Sequence, residues 1–192
     1  DLTDTPVAPE TVKTLSANEV NITYNDAEGN PISDTSELWQ QSNWKEILFN
    51  GQDSGEMAEF SWDMQNDPVP DVCRLPMDFV MNVANGSEAR HIISFTIAGR
   101  DQGNGALRNS KLAYVDAEGE RHELGESTAT SPSWDINDEV TQIIWTPMEA
   151  SGTASYAPAG DQANRMLSLF EIIIEEDATV GATGIAFDES SV

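Results

Sequence analysis

The chain has 192 residues, 9 Lys+Arg against 34 Asp+Glu, a formal net charge of -25, and an apolar fraction of 39%. That length and apolar content support a buried core in one domain and exclude wholesale disorder. The scarcity of bases argues against nucleic acid or anionic lipid as partner, because both need a basic patch. No apolar run is long enough to span a bilayer, and a lone cysteine, Cys73, excludes an internal disulfide. The chain begins at Asp1 with no signal-peptide pattern, so the expectation is a mature product or an excised domain.

Residues 1–17 carry two prolines and no clear period and read as a linker or edge segment. At 18–33, the alternating VNITY followed by DAEGN predicts a hairpin with a tight turn. The DAEG turn returns in the block 113–124 without longer self-similarity, so no repeat architecture is implied. Residues 35–49 could hold a short helix. Strands are predicted at 57–62, 77–83, 90–98, 109–115, 140–146 and 166–175, where Ile172, Ile173 and Ile174 favour strand over helix. Residues 178–192 read as a tail or an additional strand. Short strands with turn-rich gaps predict an all-β fold: one antiparallel β-sandwich of the jelly-roll kind over 18–177, with little helix.

Catalytic patterns are absent. Gly103-Asn104-Gly105 lacks the third glycine of a dinucleotide loop, no Walker A or G-x-S-x-G pattern occurs, and His91 and His122 lack metal-ligand spacing. Pairs of acids carry no information in a chain with 34 of them. The expectation is a protein that is not an enzyme.

The stretch 93–119, ISFTIAGRDQGNGALRNSKLAYVDAEG, is more specific. With LFNG at 48–51, MDFVM at 77–81, TQIIW at 141–145 and LSLFEIIIE at 167–175, it resembles the coagulation factor V/VIII type C family, the discoidin-like, galactose-binding-like β-sandwiches found in carbohydrate-binding modules. Arg100, Asn104, Gly105, Tyr114 and Gly119 fall where that pattern wants them, and the likeness covers about 46–176. It departs from the family at Asn50, where Asp is usual, at Gly99, which replaces a proline before the arginine, and in lacking the tryptophan usual after the Asp-Gly turn.

The resemblance implies a ligand site in loops at one end of the sandwich. Arg100 and Asn104 would hydrogen-bond sugar hydroxyls, and Tyr156 would cover the apolar sugar face. The plainer reading of Arg100 is a solvated or ion-paired loop residue. Trp145 lies in a strand pattern and reads as core, whereas Trp39, Trp44 and Trp134 could be exposed platforms. The family often holds a structural calcium, for which the matching positions are Asn50, Asp53 and Glu171, with Ser54 or Glu56 as additions. Alternation would equally make Glu171 an outward-facing acid. The two DAEG turns read as plain hairpin turns rather than calcium loops.

The combined expectation is an extracellular, non-catalytic glycan-binding module of a larger surface or secreted protein, with calcium, at a bacterial cell surface. It would have no nucleic-acid partner, would not insert into a membrane, and would be a monomer by default. The alternatives are a calcium-dependent adhesin domain with a protein or peptide ligand, and a structural spacer in a large adhesin.

Overall fold

The computed structural model describes residues 10–26, 28–36, 38–62, 78–100, 107, 109–148 and 166–177. Its strands are β1 (Glu10–Thr14), β2 (Asn21–Asn25), β3 (Leu38–Gln40), β4 (Ala58–Trp62), β5 (Asp78–Asn82), β6 (Arg90–Gly99), β7 (Asn109–Asp116), β8 (Arg121–Ser127), β9 (Ser133–Met148) and β10 (Met166–Asp177). A 3₁₀ turn (Ala17–Glu19) and one helix, α1 (Trp44–Leu48), are the described helical elements. The sheet order is β2-β5-β9-β6-β10-β4-β3, with β1 added on β10 and β7 joining β9 to β8. Every pairing is antiparallel.

Strand β9 folds this sheet on itself. Its first half runs against β6, from Ser133 opposite Thr96 to Val140 opposite Arg90. Its second half runs between β5 and β7 and ends with Met148 opposite Asn109. The corner lies at 137–140, where Asn137 takes φ 52°. Asparagine tolerates that left-handed conformation better than most residues. Register shifts in the partner strands, between Ile92 and Ser94 and between Val115 and Asp116, absorb the bend. One layer therefore holds β1, β10, β6, β4, β3 and the start of β9, and the other holds β2, β5, β7, β8 and its end.

Aromatic rings meet between the layers. Phe170 of β10 lies 5.9 Å from Phe79 of β5, 5.9 Å from Trp145 of β9, 5.8 Å from Phe95 of β6 and 5.8 Å from Phe49, ring centre to ring centre. Phe60, Phe79, Phe95, Trp145 and Phe170 are all fully buried. These strands form because alternate residues are large and apolar, which gives each strand one face to bury.

Five of the six expected strands match the observed elements within a residue or two, β8 was not among those expected, and three further readings change. Residues 35–49 hold the short helix expected there, but they also hold a strand. Leu38–Gln40 pairs with Phe60–Trp62, and only Trp44–Leu48 is helical, because the ladder satisfies backbone groups that loose apolar spacing could not hold in a helix. Second, β9 starts at Ser133 rather than at 140, with Trp134 and Ile136 buried between exposed Ser133, Asp135 and Asn137. Third, Trp134 is no exposed platform: it is 9% exposed and stacks on Phe95 at 6.3 Å. Trp145 is core, as expected. Within the opening segment, residues 10–14 form an edge strand on β10. Residues 1–9, Cys73 and the tail 178–192 lie outside the described residues.

The two DAEG turns close with the same hydrogen bonds. Asp26 Oδ1 accepts the Glu28 and Asn30 amides at 3.0 and 2.9 Å, and Asp116 Oδ1 accepts the Glu118 and Glu120 amides at 2.9 Å each. Gly29 and Gly119 supply the matching left-handed residue, at φ 80° and 85°.

Candidate functional site

Four strand ends meet around Arg100. It follows the last residue of β6, and its amide donates to Met166 O, at the start of β10, at 3.3 Å. Its carbonyl accepts the Leu107 amide at 2.8 Å, just before β7 begins. Asn109 then pairs with Met148, the end of β9. The Arg100 side chain is half-buried, with Nη1 3.4 Å from Met166 Sδ. On the other layer, buried Asp78 opens β5 and accepts the Thr146 hydroxyl at 2.6 Å. Burial pushes its carboxyl up, against the pull of that bond. Asn104 and Tyr156, the other two ligand candidates, lie outside the described residues.

The calcium candidates sit on two neighbouring segments. Asn50 follows Phe49, Glu171 follows Phe170, and those two rings pack edge-on at 5.8 Å. Asn50 is exposed and its Oδ1 accepts the Gln52 amide at 2.8 Å; Asp53 is exposed and its Oδ1 accepts the Gly55 amide at 3.2 Å. Glu171 sits half-buried between buried Phe170 and Ile172, on the opposite face of β10. The donor set is all oxygen, the kind a hard cation takes.

Another group of possible metal ligands lies at the second DAEG turn, which reads from sequence as a plain hairpin turn. Asp116, Glu120 and His122 offer ligand atoms within 4.8 Å of one another and could hold a metal ion. His122 Nε2 lies 2.7 Å from Asp116 Oδ2, its ring stacks on Tyr114 at 4.7 Å, and the Tyr114 hydroxyl donates to Asp138 Oδ2 at 2.9 Å. The sequence signal was the DAEG turn followed by a histidine three residues past its glycine, but the Tyr114 stack comes from strand register.

The hydrogen bond to Asp116 raises the His122 pKa above its ordinary value of 6.5. The same bond, with the amides of the turn, holds the Asp116 carboxyl below 3.8. Burial and then the Asp138 bond push the Tyr114 phenol up to about 12. The linkage follows from these directions. Asp116 contributes stability above its unfolded pKa, which fades as pH falls through its lowered value. His122 contributes below its unfolded pKa and loses that contribution as pH rises through its raised value. The pair is therefore fully effective in mildly acidic solution. An NMR titration of the His122 ring should give a midpoint above 6.5 that falls back in Asp116→Asn; an unchanged midpoint in the variant would mean the contact does not set it.

No protein-family model matches the chain, and no curated protein matches it in sequence. Solved structures do. The family 32 carbohydrate-binding module of C. perfringens NanJ, in complex with galactose, is 12% identical, covering 85% of this chain and 99% of that one at a TM-score of 0.48. The C-terminal domain of a Bacteroides fragilis chitobiase is 11% identical, covering 83% and 96% at 0.45. A Streptococcus pneumoniae fucose binding module is 10% identical, covering 71% and 91% at 0.39. These are distant likenesses, and the all-β, two-layer architecture of this chain stands on its own strand pairing.

Proposed function

We propose that the domain is a non-catalytic glycan-binding module of a larger extracellular protein, with the sugar held at the Arg100 end. The observation that carries this reading is the meeting of the ends of β6 and β9 with the starts of β7 and β10 around Arg100. In the sequence, Asn104 follows Arg100 by four residues and Tyr156 follows Met148 by eight. Arginine supplies a rigid fork of donors and asparagine both donor and acceptor, while a tyrosine ring suits the apolar face of a sugar. Calcium, held by Asn50, Asp53 and Glu171, would brace the flank of β10 rather than take part in chemistry. A surface short of bases suits an ion-rich bacterial exterior.

A glycan array followed by calorimetric titration, with calcium present, tests the reading. At least one glycan should bind, and Arg100→Ala should weaken it about tenfold or more, the effect of losing hydrogen bonds from a charged donor. The variant should melt where the parent does. No binding to any glycan would overturn the sugar reading, and chelator-sensitive capture of a cell-surface protein would replace it with the adhesin alternative. Chelation should lower the melting temperature; an unchanged value would remove calcium.

A further inference from the structure

A polar cleft lies away from Arg100, beyond the last residue of β5 and beside the corner of β9. It has a volume of ≈ 590 Å³ and is lined by residues including Asn18, Asn21, Lys45, Asn82 and Gln142. That volume falls within the range of about 300–1,000 Å³ usual for small-molecule clefts. We propose that this cleft binds an acidic sugar, with its carboxylate on Lys45 and its hydroxyls on Asn18, Asn82 and Gln142.

The amides are held in place before any ligand arrives. Asn82 Nδ2 donates to Asn21 O at 2.9 Å and to Thr23 Oγ1 at 3.2 Å, and its Oδ1 accepts Gln142 Nε2 at 2.9 Å. Gln142 lines the cleft and spends an Nε2 hydrogen on Asn82. The Ser16 hydroxyl lies 2.6 Å from Asn18 Oδ1 and 2.8 Å from Glu19 Oε1 and can donate its one proton to only one of them, so Asn18 offers the cleft at least one amide hydrogen. Rows of fixed neutral donors and acceptors suit a ligand dense in hydroxyls, and fixing them in advance lowers the entropic cost of binding.

The charge pattern selects the acid. Lys45 stands in the first turn of α1, half-buried and lining the cleft. Among the described residues it forms no ion pair, whereas Lys13, Arg90, Lys111 and Arg121 each sit on a carboxylate. The neighbouring Glu46 is exposed and does not line the cleft. One carboxylate does line it, that of Glu19, and its charge is already met. Lys13 Nζ lies at 2.9 Å, the Ser16 amide at 3.0 Å, the Ser16 hydroxyl at 2.8 Å and Arg90 Nη2 at 3.8 Å. Burial raises the Glu19 pKa, but the Lys13 and Ser16 bonds outweigh it and hold the carboxyl at about 2. Glu176 adds the second carboxylate to the Lys13 and Arg90 group. Among the described residues that line the cleft, Lys45 is the one base and Glu19 the one acid, and the Glu19 charge is met by Lys13 and Arg90 from outside it.

The test is an NMR titration of the full chain with D-glucuronate, using D-glucose and acetate as controls. Glucuronate should shift the amide signals of Asn18, Lys45, Asn82 and Gln142 saturably, more strongly than either control, and less so as salt rises. Lys45→Gln should weaken it about tenfold or more, Gln142→Ala should weaken it too, and Arg100→Ala should leave it unchanged. Equal binding of acetate would reduce the cleft to a simple anion site and overturn the proposal. Equal binding of glucose, or indifference to Lys45→Gln, would overturn the acidic part and with it the proposal. Shifts confined to the Arg100 end and abolished by Arg100→Ala would overturn this inference while supporting the first site. No saturable shift into the tens of millimolar would overturn it outright.

Discussion

Replacing Phe170 by alanine should cost about 3–5 kcal/mol of folding stability, the range for deleting a large aromatic from a packed core. The ring is fully buried and touches four others, Phe49, Phe79, Phe95 and Trp145, which come from both layers. Alanine would leave a hole that neither layer could fill, since Phe79, Phe95 and Trp145 are fixed by their strands and Phe49 by the end of α1. Domains of this size have about 5–15 kcal/mol in all, so the variant should be marginal at physiological temperature. Urea unfolding followed by tryptophan fluorescence measures it. Trp145→Phe is the control. It keeps most of the ring and removes an indole N–H that is buried without a hydrogen-bond partner, so its loss should be smaller. Equal losses in the two variants would mean that the core does not centre on Phe170.

Gly99→Val should destabilise the fold by about 1–3 kcal/mol, the usual cost of forcing extra atoms into a filled space. A Cβ at this position would lie 2.9 Å from Leu107 Cβ and 3.0 Å from the Met166 carbonyl oxygen. Neither neighbour can yield cheaply. Leu107 is buried and its amide is bonded to Arg100 O, and Met166 O accepts the Arg100 amide. The substitution would therefore pry apart the strand ends that set Arg100 in place, and sugar binding at that end should weaken together with stability. Gly119, whose Cβ would meet nothing within 4 Å, offers a comparison in which only the φ of 85° is strained. A Gly99→Val protein with the parent's urea midpoint would refute the close approach.

The middle strands were legible because their signal is local. In β6 and β10 the alternation of large apolar residues is dense enough to survive any register, and the Ile172–Ile174 run favours strand over helix. The DAEG turns were equally legible, since one aspartate and one glycine complete each set of bonds within five residues. The front half of β9 was hidden because Asp135, Asn137, Asp138 and Glu139 read as a polar loop, although Trp134 and Ile136 alternate beneath them. Strand β3 was hidden because its partner, not its composition, makes it a strand. For the sites, the sequence placed Arg100 at a strand end but gave no hint of the amide cleft. Its residues come from near 20, 45, 82 and 142, four places that only the pairing of β2, β5 and β9 brings together.

The turn of β9 from one layer to the other has a consequence for how the domain melts. Its hydrogen bonds to β6 lie in one layer and those to β5 and β7 in the other. Peeling either layer away would tear the same strand, so the two cannot act as separate unfolding units and the amides of β9 should be among the last to exchange with solvent. The nearest partner of β9 in sequence is β7, whereas β5 lies some sixty residues upstream. The chain must thus close a long loop before this strand is held on both sides, which makes for slow, all-or-none assembly.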